Sequence, residues 1–378
     1  AYDVIDYKVA NAATGDYLSA PIEQALDQIL AHPEVHVGAV NMSFGGPGYP
    51  YGFADEISRL ADRGIPCVVA AGNAGTKAAL EGPLYPAALP DVICVGSHDG
   101  AGHPSAFSQN GPAVDILADG ENFPQTNLAG TSFAAPQVTA TVTQVEAIVS
   151  GLTGGPLGVA AVINVLQEGG AGPRSRPDPA DGATRYFLLD HQGALDYAWA
   201  HYGGTPTRAL EYVASYGDLI GALGADSNTG RLHFEHNGSV EERHISFDAL
   251  DYIASYGDLI GAFGTDAYRG ASHYIATGVH EGRSIGFDGL EYIASYDDLI
   301  AAYGANRDAG ATHFINTGVH EGRAPDLFNA AQYLANYPDL QAAFGNDQDA
   351  ATAHYITTGH LEGRTDDIPA HAAADFLL

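Results

Sequence analysis

A-G-T-S-F-A-A-P, residues 129–136, sets one serine where a small-residue turn enters a helix-compatible run. Gly130 removes a side chain where a substrate must approach. Thr131 and Ser132 offer backbone N–H groups at a helix N-terminus, where developing negative charge is favoured. The run behind it, Ala134–Val149, reads as a long helix, followed by a second near Gly158–Leu166. A serine at this position is a candidate nucleophile, and it then needs a histidine to take its proton and a carboxylate to hold that histidine.

Upstream of this turn, short apolar runs alternate with helix-like stretches. Asp3–Val9, Val35–Met42, Pro66–Ala71 and Val92–Val95 read as strands. Pro21–Ala31, with Ile22, Ala25, Leu26 and Ile29 on one face, and Ala54–Arg63 read as helices. The alternation predicts a parallel sheet covered on both faces. Gly170–Ala183 is a loop by its Gly and Pro content.

Composition narrows the function classes. With 46 acidic against 15 basic residues the net charge is −31, which repels phosphate backbones and argues against a nucleic-acid partner. That charge reads either as a solvated acidic face or as adaptation to a salty or calcium-rich extracellular setting. No apolar run reaches the roughly 18 residues of a membrane-spanning helix. Cys67 and Cys94 lie inside apolar strand runs, as small hydrophobes.

Three blocks, in order, carry a family resemblance: N-M-S-F-G-G-P (41–47), V-V-A-A-G-N-A-G (68–75) and G-T-S-F-A-A-P (130–136). With the connecting runs Tyr85–Ser97 and Phe107–Gly120 and the closing Arg185–Asp196, residues 1–203 resemble the subtilisin family of serine proteases. The resemblance implies a three-layer α/β/α domain that hydrolyses polypeptides through an acyl-enzyme on Ser132. Asn73 is then the oxyanion donor. Ser43, Phe44, Gly45 and Gly46 form the edge that pairs with substrate backbone, and Ala71 and Gly72, with Gly130 and Thr131, complete the substrate cleft. No cofactor is required; calcium is compatible with the family, with no ligands assigned and no metal residues named.

The family's acid comes in an Asp-Thr/Ser-Gly turn and its base in a His-Gly-Thr-His helix start, both before the strand read at Asp3–Val9. Neither pattern occurs in the 378 residues. Asp119 imitates the acid only in its strand-end position, and His98, His103, His32, His36 and His191 read as surface or structural residues. The expectation is an N-terminally incomplete domain whose Asp and His lie upstream of Ala1, and a chain inactive by itself. The alternative is a non-catalytic pseudoprotease or adhesion protein in which the second half is the working part.

That second half repeats. Tyr212, Tyr252, Tyr292 and Tyr333 recur at steps of about 40, as do His233, His273, His313 and His354, and Arg243, Arg283, Arg323 and Arg364. This predicts an all-α array of four units (209–246, 247–286, 287–326, 327–366) behind a linker at 204–208, with a tail at 367–378. Within each unit, Asp218, Asp258, Asp298 or Asp339 is expected to cap a helix. Gly278, Gly318 and Gly359 are expected to stop one, and the closing E-G-R to pair its arginine with a neighbouring unit. His273 and His280 sit two helical turns apart, but packing against tyrosine is the better reading than a metal site. The repeats resemble those of secreted bacterial proteins, which implies an exported protein and leaves three readings for the array: a surface or matrix anchor, a substrate-docking arm, or a spacer.

Overall fold

The computed structural model describes residues 4–10, 19–75, 82–121, 128–170, 175–178, 182 and 184–367. Asp3, most of the expected 170–183 loop and the tail beyond Asp367 lie outside the described residues. The chain divides into two compact units: residues 1–205 with 231–245, and 206–230 with 246–378.

The first unit holds a four-stranded parallel sheet in the order β1 (Val40–Met42), β2 (Cys67–Ala70), β3 (Val92–His98), β4 (Ile116–Asp119). Cys67 pairs with Val40 on one side and Val92 on the other, and Val95 with Ile116. On one face, Met42, Cys67, Val69, Val92 and Cys94 are buried against Ile22, Leu26 and Leu30 of α1 (Ser19–Ala31) and Ile57 and Leu60 of α2 (Ala54–Asp62). The alternate strand residues meet α3 (Thr131–Thr153), which packs along all four strands, with α4 (Val159–Gly169) and α5 (His191–His201) behind it. This is a three-layer α/β/α arrangement, and it explains why the inner runs Cys67–Ala70 and Val92–Val95 are apolar at every position. Burial of Cys67 and Cys94 pushes both thiols up, Cys67 to about 12, so neither is a nucleophile.

The expected first strand is not formed: Val4–Val9 carries no ladder among the described residues, and Val4 and Ile5 are exposed. An alternating pattern makes a strand only where a neighbour supplies hydrogen bonds.

Glu146, on α3, is one of the buried acids of this unit. Its Oε2 accepts the Leu157 N–H at 2.9 Å while Oε1 has no partner. Burial pushes its pKa up to about 7, against the lowering by that N–H. The folded state therefore binds the proton more tightly than the unfolded chain, and this contribution to stability is present below the ordinary pKa and lost as pH rises to about 7. Glu146→Gln should remove up to about 1.4 kcal/mol per pH unit from the stability slope between pH 5 and 7. Urea unfolding followed by Trp199, the one tryptophan, buried on α5, reads it. An unaltered slope would show that Glu146 is already ionised in the fold.

In the second unit, one repeat comprises helices Ala249–Ala254, Gly257–Phe263 and Ala267–His273, the last running into a π-helical turn, Tyr274–Gly278. Repeats at 289–318 and 330–359 follow the same plan. Tyr252, Tyr292 and Tyr333 are fully buried, each hydroxyl 3.0 Å from the Nδ1 of His273, His313 or His354. The expected tyrosine–histidine packing is present, and His280 is exposed on the surface.

Gly278 is the last residue of the π-helical turn; a Cβ there would lie 2.1 Å from the Tyr252 hydroxyl, and the left-handed residue comes later, at Gly282, φ 71°. Three expectations are corrected here. Asp258 is not the N-cap residue: Tyr256 is, and Asp258, in the first turn, pairs with Arg283 at 3.0 Å. That arginine also holds Glu281 and lies over the Tyr256 ring, so the E-G-R pair closes its own repeat rather than bridging to the next. The joints are made elsewhere. Glu211 accepts the Ala249 N–H and Asp251 the Gly289 N–H, each at 3.1 Å. Arg307 reaches Asp251 of the preceding repeat and Asp349 of the following one. The expected linker also differs, since Pro206 opens the helix Pro206–Ala214.

Candidate active site

The site is built where α3 begins. Gly130 precedes the helix in extended backbone, and a Cβ there would sit 3.1 Å from Asn73 Nδ2. Thr131 is fully buried and acts as a clamp. Its N–H and hydroxyl both donate to Asn73 Oδ1, at 2.8 and 2.9 Å, and the Gly72 N–H donates to its Oγ1 at 3.2 Å. With Oδ1 engaged twice, the Asn73 amide presents Nδ2 as its free donor on an exposed side chain. Gly72, φ 115°, has no room for a Cβ, which would meet Gln109 Oε1 at 2.1 Å.

Ser132 and Ser43 are joined by two hydrogen bonds. The Ser132 hydroxyl donates to the Ser43 carbonyl at 3.2 Å, and the Ser43 hydroxyl donates to the Ser132 carbonyl at 3.1 Å. The second bond has a cause in the sequence. Pro136, four residues on, lacks the N–H that would close the helical bond to the Ser132 carbonyl. Ser43 supplies the missing donor, and Asn41 Nδ2 in turn donates to Ser43 Oγ at 3.0 Å. The S-F-A-A-P spacing was the signal for this link, which the reading of the residues missed.

At the substrate edge, Gly46 is already used: its N–H and carbonyl exchange 2.9 Å bonds with Tyr85 in an antiparallel bridge. Gly45 is exposed, and its backbone groups have no partner among the described residues. Phe44 is half-buried and packs on the core, and Ala71 is fully buried.

None of the weighed histidines is hydrogen-bonded to the Ser132 hydroxyl. His103 Nδ1 is 2.9 Å from Asp99 Oδ2, His98 Nδ1 lies against the Asp99 carbonyl, and His191 Nδ1 is 2.9 Å from Thr141 Oγ1. His32 pairs with Glu34, and His36 is exposed. Asp119 caps its own turn, accepting the Glu121 N–H at 3.0 Å. Among the described residues, one group, Glu23, Asp27 and Glu56, brings three carboxylates within reach of a shared cation, and Arg59 lies 3.6 Å from Asp27.

Residues 3–154 match the model of the subtilase family, Peptidase_S8. The alkaline proteinase of Hapsidospora chrysogena is 32% identical over 179 residues, 45% of this chain and 42% of that protein. The major intracellular serine protease of Bacillus subtilis (strain 168) is 35% identical over 132 residues, 33% of this chain and 41% of that protein. The chain thus spans under half the length of these relatives. Among solved structures, the prenylagaramide maturation protease PagA aligns with a TM-score of 0.42 at 24% identity, covering 50% of this chain and 71% of that one.

Proposed function

We propose that the subtilase-family segment, residues 3–154, is the nucleophile-bearing part of a serine endopeptidase that acts on polypeptides. The observation that carries this reading is the Thr131 clamp. By occupying Asn73 Oδ1, it leaves Nδ2 as a donor beside the helix N-terminus that bears Ser132. Attack of Ser132 Oγ on a peptide carbonyl builds negative charge on the carbonyl oxygen. Nδ2 and the Ser132 N–H stabilise it, the amine leaves, and water hydrolyses the ester. Alternation along an extended segment turns Gly45 away from the side on which Gly46 meets Tyr85, free to pair with the substrate backbone. Phe44, Ala71, Gly72 and Gly130 shape the cleft around that strand.

The proton acceptor comes from outside these residues. The resting hydroxyl donates to a carbonyl, which is no base at neutral pH, and neither family pattern for acid or base occurs in the sequence. The protein expressed from its complete reading frame should hydrolyse casein, and Ser132→Ala should abolish that activity. Hydrolysis that survives Ser132→Ala would exclude this site as its source.

A further inference from the structure

A line of side chains beside Ser132 takes no part in the chemistry proposed above. Pro136 leaves the Ser132 carbonyl without its helical donor, and a proline ring crowds the carbonyl four residues before it. The Ser43 hydroxyl donates to that carbonyl at 3.1 Å. A hydroxyl has one hydrogen and can turn it elsewhere, so its direction has to be set by a neighbour. Asn41 Nδ2 sets it by donating to Ser43 Oγ at 3.0 Å, which fills a lone pair and offers the hydroxyl hydrogen no acceptor. The Asn41 amide is itself held the right way round. Its Oδ1 accepts from the Thr139 hydroxyl at 3.1 Å, which shares its hydrogen with the Ala135 carbonyl at 2.9 Å. The line thus leaves the end of β1 at Asn41 and Ser43 and meets α3 twice, at Ser132 and, about two turns on, at Thr139.

Resting on the proteolytic reading above, we infer that Asn41 is a positioning residue for the nucleophile. Through the Ser43 hydroxyl it fixes the Ser132 carbonyl, and so the backbone from which Ser132 Oγ and the Ser132 N–H project. Ser43 also accepts the Ser132 hydroxyl on its own carbonyl, at 3.2 Å. Any slip of this segment against α3 therefore displaces the nucleophile through both bonds. Asn41 is exposed, and its amide is engaged in this line rather than in the core. Its contribution is to the placement of Ser132 and not to the stability of the fold.

The test keeps the shape of Asn41 and reverses its polarity. In Asn41→Asp the new carboxylate accepts where the amide donated, so the Ser43 hydrogen turns towards it and the Ser132 carbonyl loses its donor. The enzyme is expressed from its complete reading frame, with rates on a peptide anilide normalised by exhaustive fluorophosphonate titration of Ser132. Asn41→Asp should lower kcat about ten- to hundredfold with KM little changed, the range for a displaced reacting group. Ser43→Ala should cost a similar factor. The double variant should fall no further than the larger single deficit, because both changes remove the same bond. Thermal unfolding should find Asn41→Asp as stable as the native protein. An unchanged kcat in Asn41→Asp, a loss confined to KM, or deficits that multiply in the double variant overturns the inference. Loss of the fold in Asn41→Asp overturns it too, by making Asn41 a structural residue. A native protein that cleaves nothing and takes no label overturns the proteolytic premise instead.

Discussion

Arg307→Met should destabilise the repeat unit by up to about 3–5 kcal/mol, the cost of removing the charge that faces the buried Asp251. Arg307 Nη1 lies 2.8 Å from Asp251 and 2.7 Å from Asp288, and Nη2 lies 2.7 Å from Asp349. Asp251 is almost fully buried and also accepts the Gly289 N–H that opens the next repeat. Burial, reinforced by Asp248, pushes its pKa up to about 8, and Arg307 opposes that shift. Methionine fills much of the volume and removes the opposing charge. Because the folded pKa is raised, ionisation costs stability as pH rises through it, so the deficit should be largest above pH 8 and shrink on acidification. Two compact units rule out a single unfolding free energy, so amide hydrogen exchange of residues 249–294 is the measurement. A loss below about 1 kcal/mol at pH 8 would mean the joint is held by apolar packing alone, the value expected of a surface pair.

The second large effect is catalytic. In the enzyme expressed from its complete reading frame, Asn73→Ala should lower kcat by about 10²–10³ with little change in KM, a magnitude taken over from the loss of such a donor in a subtilisin. The split follows from the geometry. On the proposed role, Nδ2 meets charge that exists only in the transition state, so its loss should leave ground-state binding intact. The Thr131 bonds to Oδ1 vanish in the same variant, so the fold around Gly72 must be checked by thermal unfolding. A rise in KM without a fall in kcat would make Asn73 a substrate-positioning group.

The sheet was legible because each inner strand is buried on both faces, leaving Cys67–Ala70 and Val92–Val95 apolar at every position. The start of α3 was legible for a local reason: Gly-Thr-Ser followed by small residues states its own helix N-terminus. Asp3–Val9 failed because pairing depends on a neighbour, which no local pattern encodes. In the repeats, Gly278 ends the π-helical turn, but what demands glycine there is not legible locally: it is the Tyr252 hydroxyl, 26 residues earlier in the sequence. Asp258 was ambiguous in the same way, being at the right place to cap a helix and also within reach of Arg283. Arg307 broke the repeat pattern, and that departure was its signal: the equivalent residues, Ala267 and Gln348, carry no charge.

The central claim is that Ser132 is a nucleophile whose base comes from outside residues 1–378. Fluorophosphonate labelling followed by peptide mass mapping tests it directly on two proteins, the 378-residue chain and the product of the complete reading frame. The account predicts a stoichiometric adduct on Ser132 in the complete protein and none in the 378-residue chain. An adduct on Ser132 in the shorter chain would place the base among these residues, and a folded complete protein without an adduct would remove Ser132 from the chemistry.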